Sequence, residues 1–213
     1  MRDSPVTSNA FHLKVWGRNA CFTRPEMKVE RVSYDVMTPS AARGILEAIL
    51  WKPAICWKVT QIDVLNPIKW ESVRRNEVGV VMSSRTNGFF IEEQRQQRAG
   101  LFLRDVAYTI HAHFEMTAKV GNEDSVVKFT EMFLRRAGKG QCFQRPYLGC
   151  REFAADFEVV TNGKSLAEPI SLSQDLGWML YDMDFRGKEP IPRFFRATLD
   201  NGQVVIDEKE VRP

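Results

Sequence analysis

YDVMTPSAARGILEAILWKPAIC, residues 34–56, is the stretch whose reading decides the fold. A strand-like run leads into Thr38-Pro39-Ser40, which reads as a helix start. Pro39 suits a first helical position, where its missing N–H costs nothing, and Thr38 or Ser40 can accept from the free amides. Ala42, Ile45, Leu46 and Ile49 recur at helical spacing and form one apolar face. Pro53 stops the helix, because the residue before a proline is pushed out of the α region. A strand over about 55–65 follows, so the unit is strand–helix–strand.

The chain on either side extends this unit. Phe11 to Trp16 alternate apolar and polar, as a half-buried first strand does, and Gly17 is expected to end it. Residues 18–33 read as a basic loop holding Arg18, Arg24, Lys28 and Arg31, with a short strand near 27–31. From about 68 to 100, Arg74, Arg75, Arg85, Arg95 and Arg98 are scattered among polar residues without a helical pattern. A loop that long inside a compact domain is usually functional. It reads as a hairpin or arm projecting from the sheet, or as a solvated surface loop.

Order returns at residues 101–116, where Val106, Tyr108, Ile110, Ala112 and Phe114 fall on alternating positions. His111 and His113 therefore share the other strand face with Ala107 and Thr109, about 7 Å apart from strand rise. A lone strand histidine is usually structural; two on one face can act together. Asn122-Glu123-Asp124 supply acids suited to a helix N-terminus. The helix should run to Ala137 with Val126, Phe129, Phe133 and Leu134 inward, and end at Gly138. Strands are expected near 157–160, 178–185, 194–199 and 204–206, with Asn162-Gly163 and Asn201-Gly202 as hairpin turns.

The predicted class is α+β. A ferredoxin-like or RRM-type domain spans 1–137 with its arm at about 68–100. A basic, glycine-rich loop and a small antiparallel β-sheet fill 138–213.

Bulk composition excludes several classes. With 213 residues, 44% hydrophobic and 27% charged, the chain is long enough to bury a core and is not disordered. No apolar run approaches the roughly 20 residues of a membrane helix, and the opening MRDSPVTSNAF lacks a signal-peptide pattern, so a cytoplasmic protein with no membrane contact is expected. The four cysteines form no CxxC pair, and three histidines are too few for a persuasive zinc set. Free buried thiols are expected, with no metal and no cofactor. The net charge of +3 alone implies no nucleic acid, but its distribution does. Residues 135–151 hold Arg135, Arg136, Lys139, Arg145 and Arg151 and no acid, interleaved with Phe143 and Tyr147. Stacking plus phosphate contact is how single strands are held, and glycines beside Lys139 would let backbone amides approach a phosphate. The alternative is a solvated turn.

Four strings carry a resemblance: VERVSYDVMTPSAARGILEAILWKPAI (29–55), NPI with RRNEV (66–78), LRDVAYTIHAHFEM (103–116) and RRAGKGQCFQRPYLGCREF (135–153), helped by LDNG at 199–202. Together they resemble the CRISPR-associated Cas five family of the RAMP superfamily, in its type I-C form, over roughly residues 10–200. The resemblance implies an RRM-like domain with an arm and a small C-terminal sheet. It implies a subunit of the antiviral interference complex Cascade that binds the 5′ handle of crRNA and contacts the Cas seven backbone and the Cas eight large subunit. Target DNA near the PAM is a further candidate partner. It also implies metal-independent cleavage of pre-crRNA, the alternative being a handle-capping subunit without catalysis. A generic RRM-like RNA binder fits less well, because no RNP aromatic pair is evident, and a histidine-dependent metal enzyme fits least.

Metal-free RNA cleavage needs the 2′-OH deprotonated, the leaving 5′-oxygen protonated and the phosphorane charge stabilised. Processing members of the family resemble one another in placing a Tyr or His directly before WKP, with a Lys and a His near a strand ending in HF. This sequence has Leu50 before Trp51, which cannot move a proton, and retains His113. The expected catalytic set is His113, His111, Lys52 and Tyr34. The expected RNA-binding set is Arg24, Lys28, Arg31, Arg43, Trp51, Arg135, Arg136, Lys139, Arg145 and Arg151.

Overall fold

The computed structural model describes residues 6–27, 29–85, 88–160, 165–185 and 187–213. The helix and the strand after it form as expected, but residues 34–38, read as a strand-like run, are bend and coil, with only isolated bridges at Val32 and Ser33 before them. Helix α1 is Pro39–Ile49, with Pro39 opening it and the Thr38 hydroxyl accepting from the Ala41 amide. Its buried face is Ala42, Ile45, Leu46 and Ile49, joined by Ala48. Leu50 turns extended, and the Trp57 indole N–H donates to the Leu50 carbonyl at 2.9 Å, so one of the free carbonyls of the last turn is satisfied inside the core.

Strand β1 is Phe11–Ala20, β2 is Ile55–Val64, β3 is Trp70–Val78 and β4 is Arg95–Met116. Helix α2 is Val126–Gly138 and β5 is Asp156–Val159. Strands β6 (Gln174–Asp184), β7 (Ile191–Leu199) and β8 (Gln203–Val205) complete the chain. The main sheet runs β5-β1-β4-β2-β8, antiparallel between neighbours, and β3 pairs antiparallel with the outer half of β4. A separate two-stranded sheet is β6-β7. The class is therefore α+β, an antiparallel sheet with few helices. Among the described residues, no helix is long and apolar enough to cross a membrane.

The arm is a hairpin: β3 pairs with β4 from Trp70↔Leu103 to Val78↔Arg95. The expected strand at 101–116 is thus the inner part of a 22-residue strand. Within it Asp105 has φ 52, at the point where β4 leaves its pairing with β2 and takes up β3. A non-glycine residue there marks a local break in the ladder.

Several boundaries differ from expectation. β1 continues through Gly17, because a side chain there would meet Leu148 and the Ala154 carbonyl; the glycine permits close approach and does not end the strand. Among the described residues of 27–31 no strand forms; 29–31 are a turn, and isolated bridges join Thr23 to Ser33 and Val32 to Leu101. Ser125, not the acids before it, caps α2 by accepting from the Lys128 amide. Asn201-Gly202 does make a two-residue turn with φ 45 and φ 76. Its two strands then part, β7 to β6 and β8 to β2. The turn expected at Asn162-Gly163 lies outside the described residues. Free thiols occur, but Cys56 is exposed.

The core lies between the sheet and the two helices. Phe133 of α2 meets Trp57 at 4.8 Å and Phe11 at 5.0 Å between ring centroids, and Phe114 packs on both Phe11 and Trp57. Edge-on and stacked ring pairs of this kind stabilise beyond the area they bury.

Two glycines give opposite expectations. Gly149 has φ 83, and an added Cβ would lie 2.0 Å from the Cys21 carbonyl oxygen, whereas Gly44 in α1 faces nothing within 4 Å. Thermal denaturation should show Gly149→Ala destabilised by upwards of about 3 kcal/mol. Gly44→Ala should be stabilised by roughly 0.5–1 kcal/mol.

Candidate functional site

Alternation along the strands puts Phe11, Leu13 and Val15 of β1 and Tyr108, Ile110, Ala112 and Phe114 of β4 into the core. The opposite sheet face then carries His12, Lys14 and Trp16 of β1, Thr109, His111 and His113 of β4, and Lys58 and Asp63 of β2. The antiparallel register sets His12 opposite His111 and His113 opposite Lys58.

Three of these side chains form a hydrogen-bonded chain across three strands. The His12 and His111 rings meet edge to face with Nδ1 to Nδ1 at 2.9 Å, and His111 Nε2 lies 2.6 Å from Asp63 Oδ2. Asp63 is 2% exposed, and its other oxygen accepts from the Gln61 amide at 2.6 Å. An ionised carboxylate only accepts, so His111 donates from Nε2. In the tautomer with His111 neutral, its Nδ1 accepts from His12 Nδ1–H, and His12 Nε2 is then the bare, basic end of the chain. Burial and the facing His111 push the His12 imidazole below its ordinary pKa, with Asp63 opposing.

His113 is the next residue of β4 on this face and is half-buried. Lys58 across from it reaches Glu208 at 2.8 and 3.0 Å and Glu115 at 3.9 Å, and the Tyr181 hydroxyl donates to Glu208 at 2.8 Å. Burial opposes the charge of Lys58, but Glu208 and Glu115 hold its ammonium above the ordinary range. Lys58, Tyr181 and Glu208 line a cleft of about 450 Å³ at the β2 edge, together with Arg43, Asp182 and Arg193.

The other expected site residues separate into groups. Tyr34 is buried, with the Arg24 guanidinium 4.6 Å over its ring. Its amide donates to the Phe22 carbonyl at 2.8 Å, and its hydroxyl bonds the Leu180 backbone. Lys52 follows α1 and is half-buried. Arg24 bonds Asp35, and Arg31 bonds Glu152. Arg43 is held by paired bonds to Asp182 at 2.9 Å each and by Glu47 at 2.7 Å. Burial opposes its charge, but the two carboxylates outweigh it and raise the pKa. Arg145 pairs with Asp156 at 2.6 Å, and Arg151 is exposed. Lys28 lies outside the described residues.

A third group converges on the C-terminal end of α1. Arg136 donates to the Ile49 carbonyl at 2.9 Å, and the Phe143 amide donates to the Ala48 carbonyl at 2.8 Å. The next exposed residue is Trp51, 61% exposed, while Phe143 is 88% exposed. Arg135 and Lys139 are exposed at the end of α2. Two open aromatics among cations suit stacking and phosphate contact. The structure brings these together, but not on the face that bears the histidines.

Sequence reading missed His12, Asp63 and Lys58. His12 alternates with core residues on β1, so its face was readable, but its partner depended on strand register. Among the described residues, no three His, Cys, Asp or Glu side chains group as a metal site.

The family model described as "CRISPR-associated protein (Cas_Cas5)" matches residues 11–206. A protein of Mannheimia succiniciproducens named CRISPR pre-crRNA endoribonuclease Cas5d is 53% identical over 94% of this chain and 95% of its own length. One of the same name from Thermus thermophilus is 48% identical over 81% of this chain and 72% of its own length. A solved structure titled "Crystal Structure of CRISPR-associated Protein" aligns with a TM-score of 0.75 and 23% identity, over 99% of this chain and 100% of that one, a likeness of fold.

Leu50 occupies the position where the resemblance implied a proton-transfer group, and its side chain is 0% exposed. Leu50→His should therefore destabilise the protein by about 2–4 kcal/mol in denaturant titration. A histidine buried there has its folded pKa depressed, so the loss should deepen as pH falls below the unfolded value of about 6.5.

Proposed function

The chain belongs to the CRISPR-associated Cas5d family, and from that premise we propose that it cuts pre-crRNA without a metal and stays bound to the 5′ handle of the product. The observation that carries this reading is 53% identity, across nearly the whole of both chains, to a protein named a pre-crRNA endoribonuclease. The β5-β1-β4-β2 strand order and its two helices support a ferredoxin-like core, with the β3–β4 hairpin as the arm. Residues 138–213 contribute the basic loop and the β6-β7 sheet, and they return β5 and β8 to the main sheet.

The reaction is a transesterification at phosphorus. His113 stands on the open sheet face as a general acid or base, and Lys58 opposite it supplies positive charge for the phosphorane. The Trp51–Phe143–Arg136 cluster, with Arg135 and Lys139, holds single-stranded RNA by stacking and phosphate contact. Arg151 extends the basic surface, while Arg31 beside it is paired with Glu152. Tyr34 and Lys52 lie off the histidine face, so their part is in support of the fold and of RNA contact, not in proton transfer. The protein works as a cytoplasmic Cascade subunit against Cas seven and Cas eight neighbours, with target DNA near the PAM as a further ligand.

Purified protein should cleave a repeat RNA in EDTA, and His113→Ala should slow single-turnover cleavage by about 100-fold or more. Binding without cleavage by the wild type would leave only a handle-capping subunit. If about four phosphates are held, affinity for the handle should fall roughly fifty-fold between about 50 and 200 mM salt. Arg135→Ala with Lys139→Ala should flatten that dependence, measured by fluorescence anisotropy.

A further inference from the structure

We propose that His12 is a second acid–base residue of this site, with His111 and Asp63 as positioning residues that fix its tautomer; this rests on the endoribonuclease reading above. Three observations on the sheet face support it. Asp63 is almost wholly buried, yet its carboxylate is spent on His111 and Gln61. His111 is bonded at both ring nitrogens, so neither is available to a substrate. His12 is only half-buried, and among the described residues no protein group hydrogen-bonds its Nε2. A buried acid, a fully engaged imidazole and a second imidazole with one free nitrogen form a nucleophile-activating array in which the last member does the work.

The register places this free nitrogen usefully. His12 is opposite His111, so His113 is its diagonal neighbour, about 7–8 Å away across the strands. That gap accommodates a phosphodiester with one imidazole on each side. In the step assigned here, His12 Nε2 takes the 2′-OH proton and the 2′-oxygen attacks the adjacent phosphorus. The P–O5′ bond breaks, and the 5′-oxygen takes a proton from His113. The products are a 2′,3′-cyclic phosphate and a 5′-hydroxyl, and solvent returns the proton from His12 to His113. The charged and titratable groups around His12 are Lys14 on its own strand, Glu158 of β5 beyond Lys14, His111 and His113 of β4 and Asp63 of β2. Burial keeps His12 neutral and able to accept at neutral pH, while Asp63 keeps its basicity from falling further.

The test is single-turnover cleavage of repeat RNA by the full chain in EDTA across pH 5 to 9, with melting temperature and RNA affinity measured beside it. His12→Asn keeps a donor toward His111 but removes the base; His12→Gln serves if the asparagine variant does not fold. Expected is a loss of about 100-fold or more near neutral pH with affinity within twofold of wild type, and disappearance of the acid limb of the pH–rate profile. Asp63→Asn should slow cleavage and move that acid limb to lower pH, a shift that a purely structural contact would not cause. A His12 variant that folds and cleaves at the wild-type rate, or that is slowed but keeps the wild-type acid limb, overturns the assignment while leaving the endoribonuclease reading intact. Absence of cleavage by the wild type removes both.

Discussion

Everything in this protein is arranged by the two-residue period of β4. That strand pairs with β1 and β2 in its inner half and with β3 in its outer half, so one strand connects the body to the arm. Its inner half must present Tyr108, Ile110, Ala112 and Phe114 to the helices, because those side chains have no other place to leave water. A slip of one residue would put all of them outside and both histidines in the core. The hydrophobic requirement on one face therefore fixes the histidines on the other, and the chemistry depends on packing that never touches it.

The same coupling explains the Asp63–His111–His12 chain. Neutral imidazoles in water gain little from pairing with each other. Here Asp63 is held dry by the sheet and can offer its charge only to His111 and Gln61. Low local dielectric strengthens each bond and polarises the next, so the buried carboxylate is felt at His12, two residues away in space and on another strand. Cross-strand pairs of this sort also stabilise the sheet, so the array serves the fold as well as the chemistry.

The surface proposed to hold RNA is built differently. Helix α1 ends where Arg136 and the Phe143 amide satisfy its last carbonyls, and this anchoring sets the basic segment beside Trp51. Arg43, by contrast, sits on the same helix but is bound on three sides by Asp182 and Glu47. It ties α1 to β6 instead of meeting a phosphate. Counting cations along a sequence does not separate these two uses, because the acids that neutralise Arg43, Arg24 and Arg31 are brought to them by the fold.

What was legible without coordinates was whatever is local. Helix α1, its Thr38 cap and its end ahead of Pro53, the buried Phe129 and Phe133 of α2 (but not Leu134, which is exposed), the alternation that gave His111 and His113 a shared face and the Asn201-Gly202 turn all follow from short-range rules. The strings around Trp51 and Phe114 were long enough to indicate the family. The tertiary structure decided the rest. It turned Gly17 from a strand end into a point of close approach, and it buried Leu50 where a proton carrier was sought. It also buried Tyr34 beneath Arg24 with its hydroxyl at the Leu180 backbone, and joined His12 to Asp63 through His111. The reason is that period tells which face a side chain takes, whereas register between strands distant in sequence tells what it meets there.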